Sequence, residues 1–144
     1  MSNSGIVEEV SEQLQRFPVN VRDEFLHAAQ AMEPHLQEAE LRQWATKGVE
    51  IAHKAVRSWE SAYEYFKASP HMIGLLSLPQ LIQWAESGGE LCQVSPSLSS
   101  AFFRASPSTL NKLNPRQIST WGKMGKNLYK GTWRSSALAS KFFE

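Results

Sequence analysis

The feature that most constrains this chain is a pattern of apolar residues, tryptophan and glycine that occurs three times with identical internal spacing. The pattern is Leu-x-x-Trp-x-x-x-Gly-x-x-Leu, with Ile replacing Leu at two positions, and it occupies 41–51, 81–91 and 118–128. Because tryptophan is rare, chance is a poor explanation for three copies. The offsets place all four residues on one helix face. The copies therefore predict three equivalent helices, centred on Trp44, Trp84 and Trp121.

The glycine within each copy, at Gly48, Gly88 and Gly125, needs a physical reason. Glycine inside a helix costs about 1 kcal/mol relative to alanine. The bare backbone could let a neighbouring helix cross closely, or the glycine could end a short helix. We favour the close crossing, because the apolar face continues three residues beyond each glycine.

An aromatic pair follows each copy and predicts a second helix in each unit. These helices are predicted at 59–68, at 96–105 with Ser95 as its cap, and at 132–143. We further predict that Ser69-Pro70 and Ser106-Pro107 each begin a short third helix, since serine caps helices and proline favours their first turn. The aromatic pairs are Tyr65-Phe66, Phe102-Phe103 and Phe142-Phe143, with a weaker earlier counterpart in Phe25-Leu26.

The segment before the repeats also has helical character. An apolar stripe over 6–14 predicts an amphipathic helix that ends before Pro18, and Asn20 with Asp23 predicts a capped helix over 21–32. No alternating strand pattern of convincing length occurs. Units of this kind cannot bury their apolar faces alone, so they should stack. We therefore predict one all-α domain spanning 1–144, a helical-repeat, α-solenoid-like stack with an N-terminal helical cap at 1–34 and units at 35–70, 71–107 and 108–144.

The repeated tryptophans are predicted to be buried wedges in this stack, with an aromatic binding surface as the alternative. The chain stops midway through a unit, which indicates either a natural cap or, as we slightly favour, a fragment of a longer array. The predicted structural core of the repeats is Trp44, Gly48, Trp84, Gly88, Phe103, Trp121 and Gly125.

Charge is unevenly distributed along the chain. Residues 1–40 carry a net charge of −6 and residues 104–144 a net charge of +7. The split indicates either ordinary solvated helix faces or a docking surface, for an acidic partner or for a second copy arranged head to tail. A nucleic-acid-binding segment is an alternative, because 123–134 interleaves basic residues with Tyr129 and Trp133. The candidate contact residues are Arg116, Lys123, Lys126, Lys130 and Arg134.

Signatures of chemistry are missing from the sequence. Four histidines and the single Cys92 show no metal-ligand spacing, and the common phosphate-loop, dinucleotide and nucleophile motifs do not occur. We predict no catalytic activity, no cofactor and no metal. The sequence also lacks a membrane-length apolar run and a secretory signal, and one cysteine suits a reducing compartment, so we predict a cytoplasmic location and no membrane contact.

The repeat resembles the helical repeats of larger bacterial proteins that carry a C-terminal von Willebrand factor A domain and work with MoxR-type AAA+ ATPases, including accessory proteins of nitric oxide reductase and of Rubisco activation. The resemblance covers about 36–143 and implies an adaptor segment that recognises a target or couples to the ATPase ring. Since the chain lacks an Asp-x-Ser-x-Ser motif and is too short to hold the A domain, no metal or catalytic residue is carried over. We therefore predict a non-catalytic protein–protein interaction module, a scaffold or adaptor. The resemblance rests on Trp44, Gly48, Trp84, Gly88, Phe102, Phe103, Ser106, Pro107, Trp121 and Gly125.

Overall fold

The computed structural model of the chain describes residues 3–109 together with Gln117, Thr120, Lys123 and Phe143. Within 3–109 it contains six α-helices and a 3₁₀ turn (Glu33–His35), and no β-strand. The all-α prediction is therefore confirmed. The helices are α1 (Asn3–Gln13), α2 (Val19–Met32), α3 (Glu38–Ala52), α4 (Ser58–Met72), α5 (Leu78–Val94) and α6 (Pro96–Thr109).

Consecutive helices run in opposite directions and form two layers. No connection between them is longer than five residues, and such short connections join antiparallel neighbours. In one layer α3 packs between α1 and α5, and in the other α4 packs between α2 and α6. The two layers bury a common apolar core that includes Phe25, Trp44, Phe66, Trp84 and Phe103.

The helices that carry the first two copies of the repeat begin in the same way. Gln37 caps α3 in a capping box with Glu40, whose Oε1 accepts the Gln37 N–H at 2.8 Å. Ser77 caps α5 in the equivalent box with Gln80, whose Oε1 accepts the Ser77 N–H at 3.0 Å. These reciprocal bonds satisfy backbone donors that a helix start leaves free.

The two Ser-Pro steps do not begin new helices, so that prediction is wrong. Pro70 and Pro107 lie inside the last turns of α4 and α6, and a turn at 73–76 replaces the first predicted short helix. Each serine hydroxyl instead donates, at 2.6 Å, to the carbonyl four residues earlier in its own helix. Ser69 and Ser106 thus belong to the preceding helices, α4 and α6. The second predicted short helix lies outside the described residues.

The start of α2 also differs from the prediction. Pro18 is its N-cap and Val19 its first residue, and no side chain caps the helix, so the expected pairing of Asn20 with Asp23 is wrong. The Pro18 carbonyl already accepts the Val21 N–H at 3.0 Å, which begins the helix two residues earlier than predicted. The start of α6 matches its prediction, since the Ser95 hydroxyl accepts the Leu98 N–H at 3.3 Å.

Candidate functional site

Two buried tryptophans make the same hydrogen bond in successive helix pairs. The Trp44 indole N–H donates to the Ser69 hydroxyl at 2.9 Å, and the Trp84 indole N–H donates to the Ser106 hydroxyl at 2.9 Å. Both indoles are essentially inaccessible to solvent. We call this pair of bonds the indole–serine lock, because each one joins the first helix of a unit to its second.

The repeated glycines lie against aromatic rings. A Cβ atom on Gly48 would overlap the ring of Phe66, and one on Gly88 would overlap the ring of Phe103. Both glycines are inside their helices, α3 and α5, and not at the ends. The close approach that the sequence favoured is therefore present at these two positions, and an aromatic side chain occupies the space.

The first aromatic residue of each pair contacts the following unit. The Tyr65 ring centroid lies 5.4 Å from that of Trp84 and 5.5 Å from that of Phe103. Phe25 makes the same two contacts one unit earlier, at 5.8 and 5.1 Å. Phe143 packs against the first phenylalanine of the preceding pair at 5.5 Å. Both contacts thus recur at two successive positions along the chain, and the contact between aromatic rings of successive second helices recurs at a third.

The N-terminal helix pair provides an internal comparison for the lock. No tryptophan precedes Trp44, and the position 40 residues before Ser69 is Ala29, which is buried. Serine therefore occurs at this position where an indole N–H needs an acceptor, and alanine occurs where no indole is present. A buried donor without a partner is costly, whereas replacing both partners by apolar groups can be nearly neutral.

The outer faces of α3 and α5 enclose an open groove, which we call the α3–α5 groove. It consists of two clefts of about 220 and 430 Å³ that share Glu86. The lining residues recur every three or four positions, so each helix contributes one outward stripe. The groove is lined by Gln43, Lys47, Glu50, Ile51, Lys54, Leu78, Pro79, Ile82, Gln83, Ala85, Glu86, Gly89 and Glu90.

An ion pair crosses the middle of the α3–α5 groove. Lys47 Nζ lies 3.2 Å from a carboxylate oxygen of Glu86 and 3.4 Å from one of Glu50. Partial burial lowers the pKa of Lys47, but the hydrogen bonds and negative charges of Glu86 and Glu50 outweigh it, so the pKa is raised above 10.5. Lys47 is therefore a cation at neutral pH that connects the two walls.

The two ends of the α3–α5 groove differ chemically. One cleft is lined mainly by uncharged groups, including Leu78, Pro79 and Ile82. The other contains Lys54, which lies over Gly89, with its Cε 3.4 Å from where a Cβ on that glycine would be. This arrangement suits a protein segment that carries both apolar and charged side chains.

Most of the basic residues predicted to contact a partner fall outside the described structure. Lys123 is exposed on a helix, whereas Arg116, Lys126, Lys130 and Arg134 are not described. Trp121 and Gly125 of the third copy also lie outside the described residues. Sequence reasoning did not identify the α3–α5 groove. The one sequence feature that could have indicated the groove is the stripe of polar residues on the outward face of α3.

Two buried reactive groups in the described residues, a thiol and a phenol, have structural partners. No three His, Cys, Asp or Glu side chains come together there as a metal site would require. The buried Cys92 thiol donates to the Ser99 hydroxyl at 3.1 Å. The Tyr65 hydroxyl donates to the Trp44 carbonyl at 2.9 Å, and burial, with a smaller effect of the Glu50 charge, raises the pKa of Tyr65 well above 10.

None of the helices in the described part of the chain is both long enough and apolar enough to cross a bilayer. No protein-family model matches this chain, and no curated protein or solved structure is significantly similar to it.

Proposed function

We propose that this chain is a stack of helical repeats that works as a non-catalytic protein–protein interaction module, a scaffold or adaptor. Support for the stack comes from the indole–serine lock and the glycine–aromatic contact, which recur in two successive units with the same geometry. Units that share their packing in this way contact mainly their neighbours and build an extended surface.

The observation that carries the binding role is the division between repeating and non-repeating residues. The residues of the repeated Leu-x-x-Trp-x-x-x-Gly-x-x-Leu pattern face inward in α3 and α5, and each buried indole bonds to a buried serine. The central ion pair of the α3–α5 groove is made by residues that change between units, since Lys47 corresponds to Ser87 and Glu86 corresponds to Thr46. Other lining residues recur, with Gln43 and Glu50 matched by Gln83 and Glu90. In repeat proteins, such variable outward residues on a constant framework determine which partner binds.

The basic C-terminal third is the second part of the proposal. Its net charge of +7 favours a partner with an acidic surface, and Lys123 is exposed to make such a contact. The resemblance of the repeat supports a more specific role, recognition of a target in a MoxR-type AAA+ ATPase system. Co-purification with a MoxR-type ATPase supports this role, and an ATPase that elutes alone under the same conditions contradicts it.

Site-specific photo-crosslinking in cells tests the surface itself. A photoreactive residue replaces Gln43 or Gln83 in the α3–α5 groove, and in control chains it replaces Gln30 or Ser97, which are exposed on the other layer. The proposal predicts a discrete cross-linked protein, other than a second copy of this chain, from the groove positions only. Equal cross-linking from all four positions, or none from the groove, contradicts it.

Two sets of variants then measure affinity for the cross-linked protein. Gly89→Leu should fill the α3–α5 groove and weaken binding about tenfold, while Ser97→Leu on the far layer should not. Reversal of Lys123, Lys126 and Lys130 to Glu should weaken binding most at low salt. Unchanged affinity in the reversed chain rejects the basic third as a contact.

A further inference from the structure

Among the described residues, the connections at the two ends of the helical layers differ in charge. Because consecutive helices are antiparallel, the connections 14–18 and 53–57 lie at one end, which we call the cationic end. The connections 33–37 and 73–77 lie at the other, which we call the anionic end.

The cationic end combines basic and apolar side chains. Arg16, Lys54 and Arg57 are all exposed there, and neither connection contains an acidic residue. Val56 is 96% exposed, although valine is normally buried, and Val19 at the start of α2 is 61% exposed.

An aromatic contact makes this end one surface. The rings of Phe17 and His53 meet edge to face at 5.1 Å and so join the two connections. The acid nearest in sequence to the 14–18 connection is Glu12, exposed in the last turn of α1. Those nearest to the 53–57 connection are Glu50, which Lys47 already holds, and Glu60 in the first turn of α4. The exposed charge of the two connections is therefore positive.

The anionic end has the complementary composition. Glu33, Glu38 and Glu40 lie in or beside the 33–37 connection, and no lysine or arginine occurs in 23–41 or 68–103. Leu75, in the 73–77 connection, is 51% exposed. Among the described residues, the three most exposed large apolar side chains are thus all at the helix ends, two at the cationic end and one at the anionic end.

We propose that the cationic end of one copy of this chain docks against the anionic end of a second copy. Opposite charges align the two ends, and contact would cover Val56 and Leu75, which water otherwise surrounds. The two ends differ, so each docking event leaves one free end of each kind and the assembly can extend. This inference goes beyond the proposed function, because the binding partner is a second copy and the contact is centred on the helix ends.

Sedimentation equilibrium of the full chain and two charge-reversed variants tests this docking. The first variant, Val56→Asp with Arg57→Glu, makes the cationic end acidic, and the second, Glu33→Lys with Leu75→Lys, makes the anionic end basic. Lys67→Glu, on an exposed part of α4, is the control for a charge change elsewhere. Circular dichroism verifies that each variant is folded.

The unmodified chain and the control should associate as concentration rises from micromolar to millimolar at low salt. Roughly 1 M salt, where the screening length is about 3 Å, should return them to monomers. The self-association constant of each variant alone should be about tenfold lower than that of the unmodified chain. An equimolar mixture of the two variants should recover association, because the unaltered anionic end of the first meets the unaltered cationic end of the second.

Three results would overturn the docking proposal. They are an unmodified chain that stays monomeric at all concentrations, variants that associate like the control, and a mixture of the two variants that stays monomeric. None of these results bears on cross-linking from Gln43 or Gln83, so failure of this inference is distinguishable from failure of the proposed function.

Discussion

The adjacent glycines Gly88 and Gly89 in α5 should respond in opposite directions to the same substitution. A methyl group at 88 would overlap the ring of Phe103, whereas a methyl group at 89 would have Lys54 Cε as its nearest neighbour, 3.4 Å away. Both glycines lie within the helix, where alanine is more favourable by about 1 kcal/mol. The pair therefore separates the effect of close packing from that of helix propensity.

The expected magnitudes follow from these two contacts. Gly89→Ala should raise the free energy of unfolding by about 0.5–1 kcal/mol. Gly88→Ala gains the same propensity but forces the fully buried Phe103 to move, and overpacking of a core costs about 1–3 kcal/mol. Because the methyl group would overlap ring atoms, we take the upper part of that range and expect a net loss of about 2 kcal/mol. The two variants should thus differ by about 3 kcal/mol, or roughly 10 °C in Tm.

Urea unfolding followed by circular dichroism measures both variants. Replacing Phe103 by Leu should make room for the methyl group, so the double variant Gly88→Ala, Phe103→Leu should lose less stability than the sum of its single changes. Gly48→Ala should behave like Gly88→Ala, because Phe66 occupies the same place there. A Gly88→Ala protein as stable as the unmodified chain, or strict additivity in the double variant, would refute the close-packing argument.

Three further substitutions test individual contacts. Ser106→Ala should lower the free energy of unfolding by about 1–3 kcal/mol in urea titrations, because the buried Trp84 N–H loses its acceptor, and the loss should be much smaller in a Trp84→Phe background. Tyr65→Phe should cost about 1 kcal/mol at pH 7 through its lost bond to Trp44. Because the folded state holds Tyr65 protonated, the unmodified chain should lose stability as pH rises above about 10, and Tyr65→Phe should lack that part of the loss. Lys47→Met should cost at most about 0.5 kcal/mol near neutral pH, since both of its carboxylate partners are more than half exposed, and the difference from the unmodified chain should shrink as pH rises above 10.5.

The repeated core was accessible to sequence reasoning because it combines rare residues with a fixed period. Trp44 and Gly48 recur as Trp84 and Gly88 at the same offsets, and that spacing is helical. The all-α class followed from it. The pattern did not predict which group fills the space beside each glycine. Phe66, which fills it beside Gly48, is 18 residues away in the sequence and meets the glycine only because α4 packs on α3.

The misassigned Ser-Pro steps show why local signals were insufficient. Ser69 followed by proline has the composition of a helix start, yet its hydroxyl donates to the Tyr65 carbonyl within α4 and accepts from Trp44, 25 residues earlier in the chain. The local sequence shows the preference of serine for capping a helix. It does not show the hydrogen bonds that the same serine makes to distant residues in the fold.

The α3–α5 groove was missed for a related reason. Its central ion pair joins Lys47 to Glu86, which are 39 residues apart and come together only when α3 packs on α5. Neither residue belongs to the repeated pattern, so a search for recurring residues could not identify them. Residues that meet only when two helices pack can be grouped into a surface only once the packed structure is known.

The claim that both units contain the same indole–serine lock is tested most directly by hydrogen exchange of the five tryptophan indole N–H groups. NMR resolves these groups, and Trp→Phe variants assign them. The account predicts that Trp44 and Trp84 exchange slowly and with similar protection, because each donates to a buried serine, and that the half-buried Trp59 exchanges much faster. If either Trp44 or Trp84 exchanges as fast as Trp59, the two units do not share this packing, and the account is contradicted.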